Sequence, residues 1–166
     1  VLVKQVQTHT DKGITMINKH ATAQWKGTLK EGKGQISTES GALKNQPYGF
    51  NTRFEGQPGT NPEELIAASH AGCFTMALSM ILEKYGIDPS NLELQTKCTV
   101  SLEKDGEGFS VTKSKLEFEA NLNGADKAAF EQSLQQAKEG CPISKLLDTD
   151  IELEVSLKDG QSEQAA

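Results

Sequence analysis

The sequence predicts an α+β fold, and three observations predict it. Two regions alternate apolar and polar residues around glycine-containing turns, the pattern of β-hairpins. Between them lies a well-capped run of 18 residues, Leu65 to Leu82, with no formal charge, the pattern of a helix buried on all sides. After the second hairpin, an amphipathic helical segment leads into a last alternating run. Strands and helices are therefore grouped rather than regularly alternated.

Taken in order, residues 1–15 are polar and fit neither helix nor strand. They read as a disordered extension ahead of a natural start at Met16, so the domain is expected over residues 16–159, with a disordered tail at 160–166. His20 to Thr38 alternates around Trp25, Leu29 and Ile36, with Gly27, Gly32 and Gly34 between them, which reads as strand and hairpin. Glu39 to Thr60 holds Gly41, Pro47, Gly49, Gly56, Pro58 and Gly59 and reads as a long loop without regular structure, of the length that carries function. Tyr48, Phe50, Arg53 and Phe54 set a guanidinium among aromatic rings inside it. A surface loop that tucks its aromatics into the core is the equally weighted reading.

The central helix has a marked start, with Asn61 as N-cap, Pro62 at the first helical position and Glu64 three residues after the cap. It should end near Tyr85, before Gly86. Its uncharged run is long enough to span a membrane. Ser69, His70, Gly72, Thr75 and Ser79 interrupt it, however, and its many small residues suit close backbone contact. Leu92–Leu102 and Phe109–Leu122 are strand-like runs joined through Lys104 to Gly108 as a hairpin. Ala125–Glu139 is an amphipathic helix with Phe130, Leu134 and Ala137 on one face, closed by Gly140. Cys141-Pro142 opens a short helical piece, Ile143–Leu147, and Ile151–Leu157 is the last strand.

Composition narrows the function. The 166 residues are 24% charged and 36% hydrophobic and carry a net charge of −6. This describes an acidic globule with no basic surface for nucleic acid. The three cysteines, Cys73, Cys98 and Cys141, are odd in number and irregularly spaced, and no secretion signal opens the chain. The expected compartment is the reducing cytoplasm, where a thiol can do chemistry.

Cys73 falls in the middle of the central helix, beyond the reach of that helix's own dipole, and burial raises a thiol pKa. A reactive thiolate there needs a nearby cation, and Arg53 is the best candidate. An inert core cysteine is the commoner fate of such a position, and position alone leaves both readings open. Cys141 lies where one helix ends and a proline starts the next, so its sulfur can sit near free N–H groups that favour a thiolate. One buried cysteine and one at a helix junction can form an attacking and resolving pair. Cys98, in an alternating run, reads as a sheet-packing residue. His70 and Cys73 share a helix face and with Cys141 could ligate zinc, but no Cys-x-x-Cys or His-Glu-x-x-His is present. His70 reads more simply as a packing or hydrogen-bonding residue.

Several stretches together resemble the family of osmotically induced proteins OsmC and organic hydroperoxide resistance proteins Ohr. They are Ser37-Thr-Glu-Ser-Gly41, Gln46-Pro-Tyr-Gly-Phe-Asn-Thr-Arg-Phe-Glu-Gly56, Gly59-Thr-Asn-Pro-Glu-Glu-Leu-Ile66, His70-Ala-Gly-Cys-Phe74 and Gly140-Cys-Pro-Ile-Ser144. The similarity runs from about His20 to Lys158, and the Tyr48 to Phe54 loop is similar to the OsmC branch. The resemblance implies antiparallel sheets wrapped around central long helices in an intertwined homodimer, with active sites at the subunit interface. It implies Cys73 as the peroxidatic cysteine, Cys141 as the resolving one, and Arg53 and Glu63 as the residues that hold and activate the thiolate. Cys98 has no counterpart in the motif.

On this expectation the substrate is an organic hydroperoxide and the reductant an external dithiol, with no metal, haem or flavin required. Phe50, Phe54, Phe74 and Met76 are the expected apolar pocket for an alkyl tail. Glu63 and Cys73 stand ten residues apart, about 15 Å of helix rise. Either the helix breaks after Glu63 or the carboxylate comes from the other subunit, and an interface site favours the second. The reading from another class is a non-enzymatic small-molecule or metal-binding module on the same fold.

Overall fold

The fold is that of a computed structural model, described over residues 16–158. The extension expected at 1–15 and the tail expected at 160–166 lie outside the described residues. By its contacts the chain divides into two compact units, Val1–Gly59 and Thr60–Ala166.

The first unit is a three-stranded antiparallel sheet of β1 (Ala21–Lys26), β2 (Lys33–Thr38) and β3 (Gln46–Tyr48), in the order β1-β2-β3, followed by a short helix α1 (Phe50–Phe54). β1 and β2 form the hairpin the alternation predicts. The segment expected as an irregular loop instead contains β3 and α1. Two local effects overcome its breakers. β3 is an edge strand, so Pro47, which has no N–H to give, removes no ladder bond from a second neighbour. In α1, Phe50 and Phe54 stand one turn apart with ring centroids 4.9 Å from each other, while the Thr52 hydroxyl bonds the backbone of Gly49. Trp25 and Tyr48 meet at 5.4 Å between ring centroids. Gly34 lies beneath the Tyr48 ring where a Cβ would collide with it, so the strand glycine is a packing requirement.

The second unit packs helices on one face of a sheet ordered β4-β5-β6. The central helix α2 runs over Pro62–Lys84 without a break. Asn61 caps its start by accepting from the Glu64 N–H at 2.9 Å, as expected. Its end is a Schellman closure: Gly86 has φ 76°, its N–H reaches the Glu83 carbonyl, and the Ile87 N–H reaches the Leu82 carbonyl. β4 (Leu94–Asp105) and β5 (Gly108–Asn121) pair antiparallel across the two-residue turn Gly106-Glu107, tighter than the expected loop. Gly106, at φ 59°, supplies the left-handed conformation such a turn requires.

α3 (Lys127–Gly140) and α4 (Pro142–Leu146) follow, with Gly140 inside α3 rather than beyond it. β6 (Asp150–Lys158) then pairs parallel to β5, so this sheet is mixed rather than antiparallel throughout. The two helices between β5 and β6 make the long crossover that parallel pairing needs.

The core follows from alternation. Ser114, Leu116, Phe118 and Ala120 of β5 point inward and are buried, while Lys97, Lys115, Glu117 and Glu154 form ion pairs on the other face. Phe118 meets Phe74 of α2 edge-on at 6.1 Å and Phe130 of α3 at 6.2 Å. Leu78, Leu82, Leu134 and Ala137 complete the contact.

The expectation that α2 is buried on all sides is not met within one chain. Met76 is 77% and Met80 54% exposed. With Ala68 and Gly72, also exposed, they fall at four-residue spacing along one stripe. α2 is long and apolar enough to cross a membrane by length and composition. Its other side, however, is committed to protein through Phe74, Leu78 and Leu82.

Candidate functional site

Cys73 stands mid-way along α2, half-buried, and Cys141 is fully buried; both are free thiols. Cys141 is at once the C-cap of α3 and the N-cap of α4. Its N–H closes α3 on the Ala137 carbonyl at 2.9 Å, and its carbonyl opens α4 by accepting from Lys145 at 3.0 Å. Pro142 is preset for the first turn of α4. The packing of α3 and α4 on α2 brings the two thiols close enough for each to shift the other's pKa.

The electrostatics of the pair are unequal. Burial, the largest influence on Cys73, pushes its thiol up, and the hydrogen bond and charge of Cys141 push it further; the Ile143 N–H opposes them without reversing the direction. Burial also pushes Cys141 up, but the polar surroundings supplied by the Cys73 thiol, by Ser144 and by the Ile143 N–H outweigh it. The Cys141 thiol therefore lies below its ordinary value. The two directions make Cys141 the thiol of the pair that loses its proton more readily. Ile143 and Ser144 were missed by sequence reasoning. The spacing that could have found them is Cys-Pro-x-Ser, which places them at the second and third helical positions after a cysteine N-cap.

His70, one turn before Cys73, is fully buried. Its Nδ1 is 2.7 Å from Ser114 Oγ on β5, and its Nε2 is 2.8 Å from Ser144 Oγ on α4. Burial lowers its pKa from the ordinary 6.5, so the ring is neutral at physiological pH. Both ring nitrogens are engaged by serines, the hydrogen-bonding role expected of it rather than that of a ligand. Among the described residues no cluster of three or more His, Cys, Asp or Glu side chains could hold a metal ion. Cys98 lies on β4 opposite Leu116, with its sulfur 3.3 Å from Ser114 Oγ. Burial pushes its thiol up.

The other candidates are placed as follows. Glu63 is in the first turn of α2, ten residues and about 15 Å of helix from Cys73. The helix does not break between them, which removes one of the two ways of bringing them together. Arg53 is in α1 of the first unit, with its guanidinium carbon 5.3 Å from the Phe54 ring centroid. Phe50 stacks on Phe54 in the same helix. Phe74 is wholly buried and belongs to the core, whereas Met76, two residues on, points to the exposed side of α2. The structure does not bring these last two into one pocket wall.

A family model described as OsmC-like protein matches residues 54–156. The chain is 51% identical over 142 residues to the peroxiredoxin OsmC of Escherichia coli strain K12, covering 86% of this chain and 98% of that one. It is 31% identical over 136 residues to the organic hydroperoxide resistance protein OhrB of Bacillus subtilis strain 168, covering 80% and 96%. The crystal structure of that OhrB superposes with a TM-score of 0.62 at 28% identity, over 84% of this chain and 98% of the other.

Proposed function

The chain belongs to the OsmC-like protein family, and from that premise we propose that it is a thiol peroxidase that reduces organic hydroperoxides through Cys73 and Cys141. The observation that carries this reading is the closeness of the two thiols, each of which shifts the other's pKa, one half-buried and one fully buried. A peroxide must touch the sulfur it oxidises. Access therefore assigns the first step to Cys73, although Cys141 has the lower pKa.

The Cys73 thiolate attacks one oxygen of the O–O bond. The S–O bond forms, the O–O bond breaks, and the other oxygen leaves as alkoxide that takes up a proton to become the alcohol. The Cys73 sulfur is left as a sulfenic acid. The Cys141 thiolate, favoured by a lowered pKa and adjacent, then attacks that sulfur; the disulfide forms and hydroxide leaves as water. An external dithiol returns both thiols by exchange.

Cys73 needs a cation to hold its charge, because burial and Cys141 both work against it. Arg53 is assigned that part, and it also polarises the peroxide. Glu63 is assigned the part of orienting the guanidinium. Since an unbroken helix keeps it from its own Cys73, it serves the site of the partner subunit in a homodimer. The exposed stripe of Ala68, Gly72, Met76 and Met80 supports such a dimer, as an uncovered apolar face suits a second copy. The apolar side chains Phe50, Phe54 and Met76 favour alkyl hydroperoxides over hydrogen peroxide, since only an alkyl tail gains by leaving water. The reaction is assigned to the cytoplasm, where dithiol reductants are held reduced.

The test is peroxide consumption with a dithiol supplied. Cys73→Ser should abolish it. Cys141→Ser should consume one equivalent and then lose sustained turnover with dithiols that cannot reach the sulfenic acid. Sustained activity in Cys73→Ser contradicts the assignment.

A further inference from the structure

His70 ties three elements together. From α2 its Nδ1 reaches Ser114 Oγ of β5 at 2.7 Å and its Nε2 reaches Ser144 Oγ of α4 at 2.8 Å, and all three side chains are buried. Polar groups so deep in a protein are kept by bonding one another. None of them touches the reacting oxygen atoms in the mechanism above.

The bond between His70 and Ser144 has a particular place. His70 stands three residues before Cys73 on α2, and Ser144 stands three residues after Cys141 on α4. Each is therefore about one helical turn from one of the two thiols. On the α4 side the connection is stiff. Cys141 is the N-cap of α4, and its carbonyl accepts from the Lys145 N–H at 3.0 Å, which closes the turn that holds Ser144. A shift of Ser144 carries the Cys141 backbone with it.

Little else grips α4. It is five residues long, and Ser144 is the buried one of the five. Ile143 is half-buried, while Lys145 and Leu146 are exposed. Apolar contact alone would let so short a helix slide or turn, because hydrophobic attraction has no direction. A hydrogen bond to a ring nitrogen has one. Ser114 holds the ring from its other side, so the attachment of α4 is referred to the sheet as well as to α2.

We propose that His70 is a positioning residue for disulfide formation: by bonding Ser144 it clamps α4, with Cys141 at its head, to the stretch of α2 that carries Cys73. Two groups held in attacking geometry react as if highly concentrated, and a small displacement forfeits much of that gain. The inference rests on the assignment of Cys141 as the resolving thiol. In the step it serves, the Cys141 sulfur bonds to the Cys73 sulfur, the S–O bond of the sulfenic acid breaks, and the oxygen leaves as hydroxide, protonated by solvent. Cys141 is oxidised and Cys73 reduced.

Two substitutions separate the clamp from the general worth of a buried polar side chain. In His70→Gln the amide reaches the place of Nε2 and faces Ser144; in His70→Asn it reaches the place of Nδ1 and faces Ser114. Stopped-flow reaction of the reduced protein with one equivalent of tert-butyl hydroperoxide resolves sulfenic acid formation from disulfide formation. His70→Asn and Ser144→Ala should each slow disulfide formation about fivefold, the ratio that one hydrogen bond commands. Sulfenic acid formation should be unchanged. His70→Gln should slow the second step less than His70→Asn. The double variant His70→Asn with Ser144→Ala should be no slower than either alone, because both remove the same bond.

A second step in His70→Asn as fast as in His70→Gln, or fully additive losses in the double variant, overturns the proposal. Wild-type protein that does not react with the hydroperoxide defeats the peroxidase reading, and a glutathione redox buffer then decides the clamp. There the balance between dithiol and disulfide measures how closely Cys73 and Cys141 are held. Their effective concentration should fall about fivefold in His70→Asn and less in His70→Gln. Equal values in wild type and His70→Asn, or no disulfide between the two thiols in wild type, overturn the proposal.

Discussion

The placement of Glu63 predicts that two inactive variants restore each other. Ten residues of unbroken α2 separate Glu63 from Cys73, about 15 Å along the axis and about 80° around it. A carboxylate so placed cannot orient a guanidinium that is itself paired to the Cys73 sulfur of the same chain. Glu63→Gln retains Cys73, and Cys73→Ser retains Glu63; each alone should form inactive dimers. When equal amounts are unfolded and refolded together, about half the dimers are mixed, and by two-fold symmetry each mixed dimer has one of its two sites complete. Dithiol-coupled consumption of an organic hydroperoxide should then recover to about a quarter of the wild-type rate at equal total chain. If Glu63 acts within its own chain, no mixed dimer has a complete site. The mixture would then stay at the sum of its parents, and Glu63 would not serve its partner's site.

Three further outcomes follow from the same structure. Phe74→Ala removes a wholly buried ring packed on Phe118 and should cost about 3–5 kcal/mol in urea unfolding, a large part of a typical domain's stability; a loss under about 1 kcal/mol would contradict its place in the core. Met80→Glu puts a charge in the exposed stripe of α2 and should weaken dimerisation at least about a hundredfold by sedimentation, with peroxidase activity lost in parallel; an active monomer would sink the interface site. Burial lowers the His70 pKa from 6.5, so the unfolded chain takes up this proton first. The stability due to neutral His70 is whole above pH 6.5 and is lost as pH falls below it toward the folded value, by up to about 1.4 kcal/mol per pH unit. His70→Gln should flatten that part of the acid slope, and an unchanged slope would show that the ring titrates freely.

Much of the fold was legible because local chemistry and tertiary packing agree. Asn61, Pro62 and Gly86 bound α2 as their types require, and alternation in β5 separates Leu116 and Phe118 from Lys115 and Glu117. β3 and α1 were hidden, since single-residue propensity at Pro47 and Gly49 is overridden by edge pairing and by the Phe50–Phe54 stack. The parallel register of β6 was hidden too, because strand direction is decided by the crossover and leaves no mark on the alternation of Ile151 to Leu157. At the site, Cys73 and Cys141 were visible as residue types. Their relation came from the family resemblance rather than from spacing, because the link between a helix interior and a helix junction 68 positions on is made by packing. The same holds for His70, whose partners Ser114 and Ser144 lie 44 and 74 residues away.

Whether Cys73 and Cys141 form a redox pair is decided by counting thiols. Reduced protein treated with one equivalent of an organic hydroperoxide should lose two free thiols per chain, with mass mapping placing the disulfide between Cys73 and Cys141 and Cys98 still alkylatable after denaturation. Three thiols remaining, or a disulfide that includes Cys98, would contradict the account.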